Sequence, residues 1–375
     1  MTDPLSLLKK LTAISSETSN VSGVHKVQKI TESHLKHLGF DTYYKDNANG
    51  TNQSAPILVG EIEKGTKPFI TFITHADTVF PNFGSASVKE GKLFESGAID
   101  CKGGTVVSLL GIEKFLKVNK PNFSLRFVSS PNEELGSEGF IDFFKTLSKD
   151  SFLVLGFEPS LDNGSIIAKR RGNLWYDIET TGLEAHSGRA HKEGINAALE
   201  LCLKLTEIQK LNDYEKDTTI NIGHIEGGKD KYNVVCGWAN AKLEARFPSW
   251  DEHKRLKTKI EKVLNKNILS TQDGKKSAQT KFKITNDCPP LSPIAKTKQY
   301  LEQYLKCVQK FEKRKIAVEQ AGGAADTNYF SRPNLCLIDG LGASGGGMHT
   351  KNEFIVISSL ETRSLALAEF LSSSF

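Results

Sequence analysis

The chain has 375 residues, more than one ordinary hydrophobic core holds, so two domains are expected. Charged residues at 25% and hydrophobic residues at 38% match a soluble globular protein. The net charge of +5 comes from lysines spread among acids, without the concentrated basic stripe that nucleic-acid binding needs. Lys275-Lys276 and the lysine-rich segment from Lys254 to Lys266 read as solvated faces. Six cysteines (Cys101, Cys202, Cys236, Cys288, Cys307, Cys336) form no CxxC pair, so neither a disulfide framework nor a zinc-thiolate site is expected. The first residues lack the apolar stretch of a signal peptide, and no apolar run approaches a membrane span. A cytoplasmic, soluble protein with no membrane partner is the expectation.

Up to about Ala168, helical and strand-like segments alternate. Val24 to Leu38 has helical periodicity, and Ile57 to Ile62 and Phe69 to Thr74 read as strands. A helix over 102–118, a strand over 123–130, a helix over 136–147 and a strand over 151–158 follow. Such alternation predicts an α/β sheet covered by helices. Past Arg170 the order becomes β-α-β-β-α-β, the ferredoxin-like plan, over 171–284. A helix over 293–312, strands over 315–320 and 334–340 and a last helix from Ser358 return to the first pattern. The expected organisation is a discontinuous α/β domain, 1–170 and 285–375, with an inserted domain at 171–284.

Ligand-type residues stand where the strands of the first domain end. "TFITHADTVF" breaks a run of β-branched and aromatic residues with His75 and Asp77, which project to one side of an extended chain. A metal-ligating histidine with a supporting carboxylate is built this way. "SGAIDCKGG" puts Asp100 before a glycine-rich helix start, and "SSPNEELGSEG" puts Glu133 and Glu134 after a strand. "FLVLGFEPS" closes a strand with Glu158, and "GASGGGMHTKNEF" carries His349 in a glycine-rich loop. Taken singly, each has a bland reading as a solvated or core polar pair. Open α/β sheets, however, bind ligands at the carboxyl ends of their strands, where these loops can converge. Two histidines and three carboxylates suit two metal ions sharing one carboxylate, leaving one of the adjacent glutamates to move protons.

The order HAD, D-C-KGG, NEELGS, GFEPS, A-H-SG, GG-x-x-D and GxGMH resembles the M20 family of zinc peptidases. That family includes glutamate carboxypeptidases, aminoacylases and succinyl-diaminopimelate desuccinylases. The segment "GGAADTNYFSRPNLCLIDGLGASGGGMHTKNEF" looks most like the glutamate carboxypeptidase branch. The resemblance implies a zinc-exopeptidase-like α/β catalytic domain with an inserted ferredoxin-like lid and dimerisation domain. It implies two zinc ions per chain, with cobalt or manganese as substitutes. Asp100 would bridge them, His75 and Glu158 completing one site and Glu134 and His349 the other. Asp77 would orient His75, Glu133 would be the general base, and the Asp100–Cys101 peptide bond would be cis.

In the lid, the resemblance makes His186 the histidine that serves the neighbouring subunit's active site in a homodimer. Asn233 and Arg246 would hold the substrate, Arg246 on its carboxylate, a task that suits a guanidinium fork. Their bland readings are a helix-capping His186 and a salt-bridged Arg246. Glu158, where many dipeptidases and aminopeptidases of the family carry Asp, fits carboxypeptidases and deacylases. Two departures stand out: Cys236 replaces a usual proline, and "ITNDC" precedes Pro289-Pro290 where glutamate-releasing members carry a basic residue. The expected activity is release of a C-terminal amino acid from a small peptide or N-acyl amino acid. An N-acetyl or N-succinyl amino acid deacylase is the alternative, and a catalytically silent metal-binding homologue a remote one.

Overall fold

A computed structural model describes residues 2–47, 54–65, 68–160 and 163–375, and the chain divides into two compact units. The first comprises Met1–Arg170 and Ser292–Phe375, the second Arg171–Leu291. Among the described residues, no helix is long and apolar enough to cross a membrane.

The first unit is built on six strands: β1 (Asp41–Lys45), β2 (Ile57–Ile62), β3 (Phe69–His75), β4 (Ser124–Ser130), β5 (Ser151–Gly156) and, after the insertion, β10 (Cys336–Ile338). Their order across the sheet is β1-β2-β4-β3-β5-β10. β4, β3, β5 and β10 run parallel, β2 is antiparallel to β4, and β1 is antiparallel to β2. β3 is buried at every position, as a parallel strand covered on both faces must be, which explains its unbroken apolar and β-branched run. Helices Gly104–Val118, Ala295–Glu312 and Ile357–Ser374 pack together, and their Leu109, Ile112, Tyr304, Leu367 and Phe370 join the apolar core under this sheet. The register sets His75 beside Ser130 and Ile73 beside Gly156. The loops leaving β3, β4 and β5 therefore start from one edge, within two residues of each other in register.

The helix expected over 136–147 is shorter, Ile141–Ser148. Gly136 and Gly139 adopt φ of +78° and +88°, a left-handed geometry that no α-helix accommodates. Residues Glu133–Leu135 form one 3-10 turn before this break. The helix expected from 102 begins at Gly104, because residues 98–103 form a separate wide turn.

The second unit is an antiparallel sheet of β6 (Gly172–Thr181), β7 (Thr219–Gly227), β8 (Trp238–Phe247) and β9 (Gln279–Cys288), ordered β7-β8-β6-β9. Helices Ala197–Gln209 and Trp250–Leu264 follow β6 and β8 and bury their apolar stripes on the sheet, giving the ferredoxin-like β-α-β-β-α-β plan. β6 alternates buried and exposed positions along most of its length, the period-2 signature of a sheet covered on one face. The unit extends to Leu291, past residue 284, because β9 stays paired with β6 as far as Cys288.

Candidate metal centre

His75 closes β3 with its side chain 1% exposed. Its Nε2 lies 3.0 Å from Asp100 Oδ1 and 3.8 Å from Glu158 Oε1. Its Nδ1 faces Asp77, 3.0 Å from the backbone carbonyl and 3.3 Å from Oδ1. The fully buried Asp77 carboxylate has further partners. It accepts the Thr18 hydroxyl at 2.7 Å and the backbone N–H groups of Glu133 at 3.1 Å and Glu134 at 3.2 Å. Asp77 thus faces His75 and also fixes the turn that presents both glutamates.

Asp100 sits in the turn over Ala98–Gly103, and its bond to Cys101 is cis. Its second oxygen, Oδ2, lies 3.2 Å from His349 Nε2, which is 3.3 Å from Glu134 Oε2. The structure thus brings together His75, Asp100, Glu134, Glu158 and His349, with Asp100 offering one oxygen to each histidine. Four of these side chains are at least 87% buried, whereas His349 is 58% exposed and marks the open side. Glu133 stands next to Glu134 in the 3-10 turn.

The donor set fits a pair of divalent ions. On each side of Asp100, one imidazole nitrogen faces two carboxylate oxygens at 3.0–3.8 Å. Ligands about 2.0–2.1 Å from a shared tetrahedral zinc stand roughly 3.3 Å from each other. The titration behaviour agrees, because the site gathers negative charge that burial disfavours. Burial pushes the Glu133 carboxyl well above the usual range, and Glu158 adds to the effect. Burial also pushes Glu158 up to about 8, against the pull of His75. Hydrogen bonds to Asp100 and Glu134 raise His349 to about 10. Divalent cations would offset this charge.

Two residues given no role in the sequence reading also belong here. The Cys101 thiol donates to the Phe157 carbonyl at 3.0 Å, and its sulfur lies within 4.8 Å of donor atoms of His75 and Glu158. Asp326, in the GG-x-x-D loop, is 3% exposed and accepts the Ser137 hydroxyl, while its Oδ2 is buried without a hydrogen-bond partner among the described residues. Burial raises Asp326 to about 6. The motif spacing pointed to Asp326, but its contacts come from a segment 189 residues away.

The lid residues lie in the second unit. His186 is exposed, forms an antiparallel bridge with Val234, and accepts the Gly188 N–H at its Nδ1. Asn233 is exposed beside it, its carbonyl accepting the Ser187 N–H at 3.0 Å. His186 and Asn233 are therefore neighbours. Arg246, on β8, is ion-paired with Glu244 at 2.9 Å.

Loops leaving the parallel strands and two further turns thus bring two histidines and three carboxylates together, a donor set that suits divalent metal ions. Comparison with known proteins leads the same way. Residues 168–271 match the model of the peptidase dimerisation domain of the M20 family. Carboxypeptidase G2 of a Pseudomonas species is 24% identical over 95% of this chain and 85% of its own. Succinyl-diaminopimelate desuccinylase of Psychrobacter arcticus is 27% identical over 89% and 86%. Among solved structures, aminopeptidase PepT of Bacillus cereus superposes with a TM-score of 0.76 at 21% identity, covering 99% of this chain and 98% of that one. The M20 family metallo-carboxypeptidase Sso-CP2 of Sulfolobus solfataricus gives 0.67 at 18% identity, with 99% of both chains covered. Residues 168–271 thus match an M20 dimerisation domain, and the M20 enzymes that the chain resembles over most of its length, a metal-dependent group, support a hydrolase.

Proposed function

We propose that the protein is a two-zinc carboxypeptidase that releases a free C-terminal amino acid from a small peptide or N-acyl amino acid. The observation that carries this reading is the Asp100 carboxylate, whose two oxygens each face a different histidine–carboxylate pair. His75, Glu158 and Asp100 would hold one ion, and Asp100, Glu134 and His349 the other. Such a pair makes water acidic enough to ionise near neutrality and polarises the scissile carbonyl.

The protein's own groups do the rest. Glu133 accepts a proton from the attacking water as the new C–O bond forms, then passes it to the amine as the C–N bond breaks. Asp77 keeps Glu133 and Glu134 in fixed relation through their backbone amides. The lid would act in a dimer, with the partner's His186 donating to the carbonyl oxygen as charge develops there. Arg246, oriented by Glu244, would bind the substrate carboxylate, with Asn233 as a further polar contact.

The 27% identity to a desuccinylase over most of the chain favours one second reading, removal of an acyl group from an amino acid. A panel of dipeptides and N-acyl amino acids, each with a free or amidated carboxylate, separates the two. The carboxypeptidase reading expects dipeptides with a free carboxylate to be turned over much faster than amidated ones. Arg246→Ala should raise KM on those substrates by the equivalent of about 2–3 kcal/mol, and little on amidated ones. Turnover confined to acetylated or succinylated amino acids would establish the second reading.

A further inference from the structure

The Asp100 turn and the His349 loop come from distant parts of the chain, yet one buried carboxylate joins them. Glu353 lies four residues after His349 and is 4% exposed. Its Oε2 accepts the backbone N–H of Gly97 at 3.0 Å, and its Oε1 accepts those of Ile99 at 3.0 Å and Asp100 at 3.2 Å. The turn is shaped to present these amides. Gly97 has φ +71°, and a Cβ there would meet Thr78 Cγ2 at 2.4 Å. Glu353 itself is anchored by the next residues, Phe354–Val356, which pair with the strand Lys92–Phe94 just before the turn.

Asp100 is the residue that faces both histidines, so a small rotation of its backbone would displace its two oxygens together. We propose that Glu353 is a positioning residue that sets Asp100 and His349 in mutual register before any ion binds. This rests on the reading of Asp100 as the shared metal ligand. A carboxylate suits the role because both oxygens only accept, and charge-assisted bonds to backbone amides are strong ones. A glutamine in the same place turns an NH₂ group toward one set of amides and leaves buried donors facing each other.

The test measures Co(II) uptake by wild type, Glu353→Gln and Glu353→Asp through visible d–d absorption and chelator competition, with circular dichroism and melting curves alongside. Glu353→Gln should fold, bind Co(II) roughly 10–100-fold more weakly and show an altered d–d spectrum. Glu353→Asp, which keeps the charge, should recover part of the affinity. A Gln variant that melts earlier yet keeps the wild-type affinity and spectrum assigns Glu353 to folding alone and overturns the proposal. Wild-type protein that takes up no Co(II) instead fails the reading of Asp100 as a ligand. Hydrogen exchange on metal-stripped wild type decides the matter if neither variant folds. The amides of Gly97, Ile99 and Asp100 should then be protected before metal is added, and exchange at the rate of an open loop would overturn the proposal.

Discussion

Asp77 and the Glu133–Glu134 pair show how the site divides its work among single side chains. One buried carboxylate accepts from Thr18 and from both glutamate amides while facing His75. Asp77→Asn preserves volume but turns a donor toward groups that themselves donate, so the turn carrying Glu134 should loosen. We expect a roughly 10–100-fold loss of metal affinity, measured by chelator competition. The two glutamates should separate cleanly by phenotype. Glu133→Gln should keep its metal and lose about 10²–10⁴-fold in kcat, the scale of a general base. Glu134→Gln, which alters a residue 3.3 Å from His349, should weaken metal binding instead. Metal content and kcat measured together on both variants would expose an exchange of roles. His75, Asp100, Glu134, Glu158 and His349 were legible because each follows a strand or a glycine-rich turn. The contacts of Cys101, Asp326 and Glu353 were not, because their partners are supplied by segments far away in sequence.

At the scale of elements, periodicity located the strands well and set two helix starts too early, at 136 and 102. Apolar residues after Gly136 continue a helical pattern, but Gly136 and Gly139 take left-handed angles and delay the helix to Ile141. In the second unit, helix Trp250–Leu264 is tied to the end of β9 through polar contacts as well as its apolar stripe. Asp287 accepts from His253 and from Lys257, each at 2.8 Å. Burial works against the ionised form, but these two bonds hold the Asp287 carboxyl down at about 2. A depressed folded-state pKa means that this stability is present above the ordinary carboxyl value and lost as pH falls through about 2. Asp287→Asn should therefore cost about 1 kcal/mol near neutrality, allowing for solvent screening of a part-exposed pair. Urea midpoints should differ by a constant amount from pH 7 down to about 5, draw together below about 4 and meet near 2.

For the whole molecule, the sharpest expectation concerns subunit exchange. His186 is exposed in the second unit, and none of the candidate metal ligands is near it in sequence. If it serves the partner's site in a two-fold dimer, Glu133→Ala and His186→Ala should each be nearly inactive alone. Mixing them under exchange conditions makes half the dimers hybrids, each with one intact site and one doubly defective site. Activity should recover to about a quarter of wild type. Recovery no greater than the sum of the two variants would show that His186 acts within its own chain or only in its own loop. Light scattering at assay concentration checks the dimer independently.

The sequence by itself determined the two-part architecture and picked out the residues that converge at the candidate metal centre. Both are recorded in local pattern: a period near 3.6 or 2, and polar residues interrupting apolar strands where they end. Tertiary structure decided what those residues do for one another. Parallel pairing of β4, β3 and β5 carries three separate loops to one sheet edge. Only there does Asp77 meet the Glu133 and Glu134 amides, 56 and 57 residues further on. The closing of Glu353 on the Asp100 turn spans 253 residues. A hydrogen bond across such a distance leaves no periodicity in the chain, because its geometry exists only once the intervening core has packed.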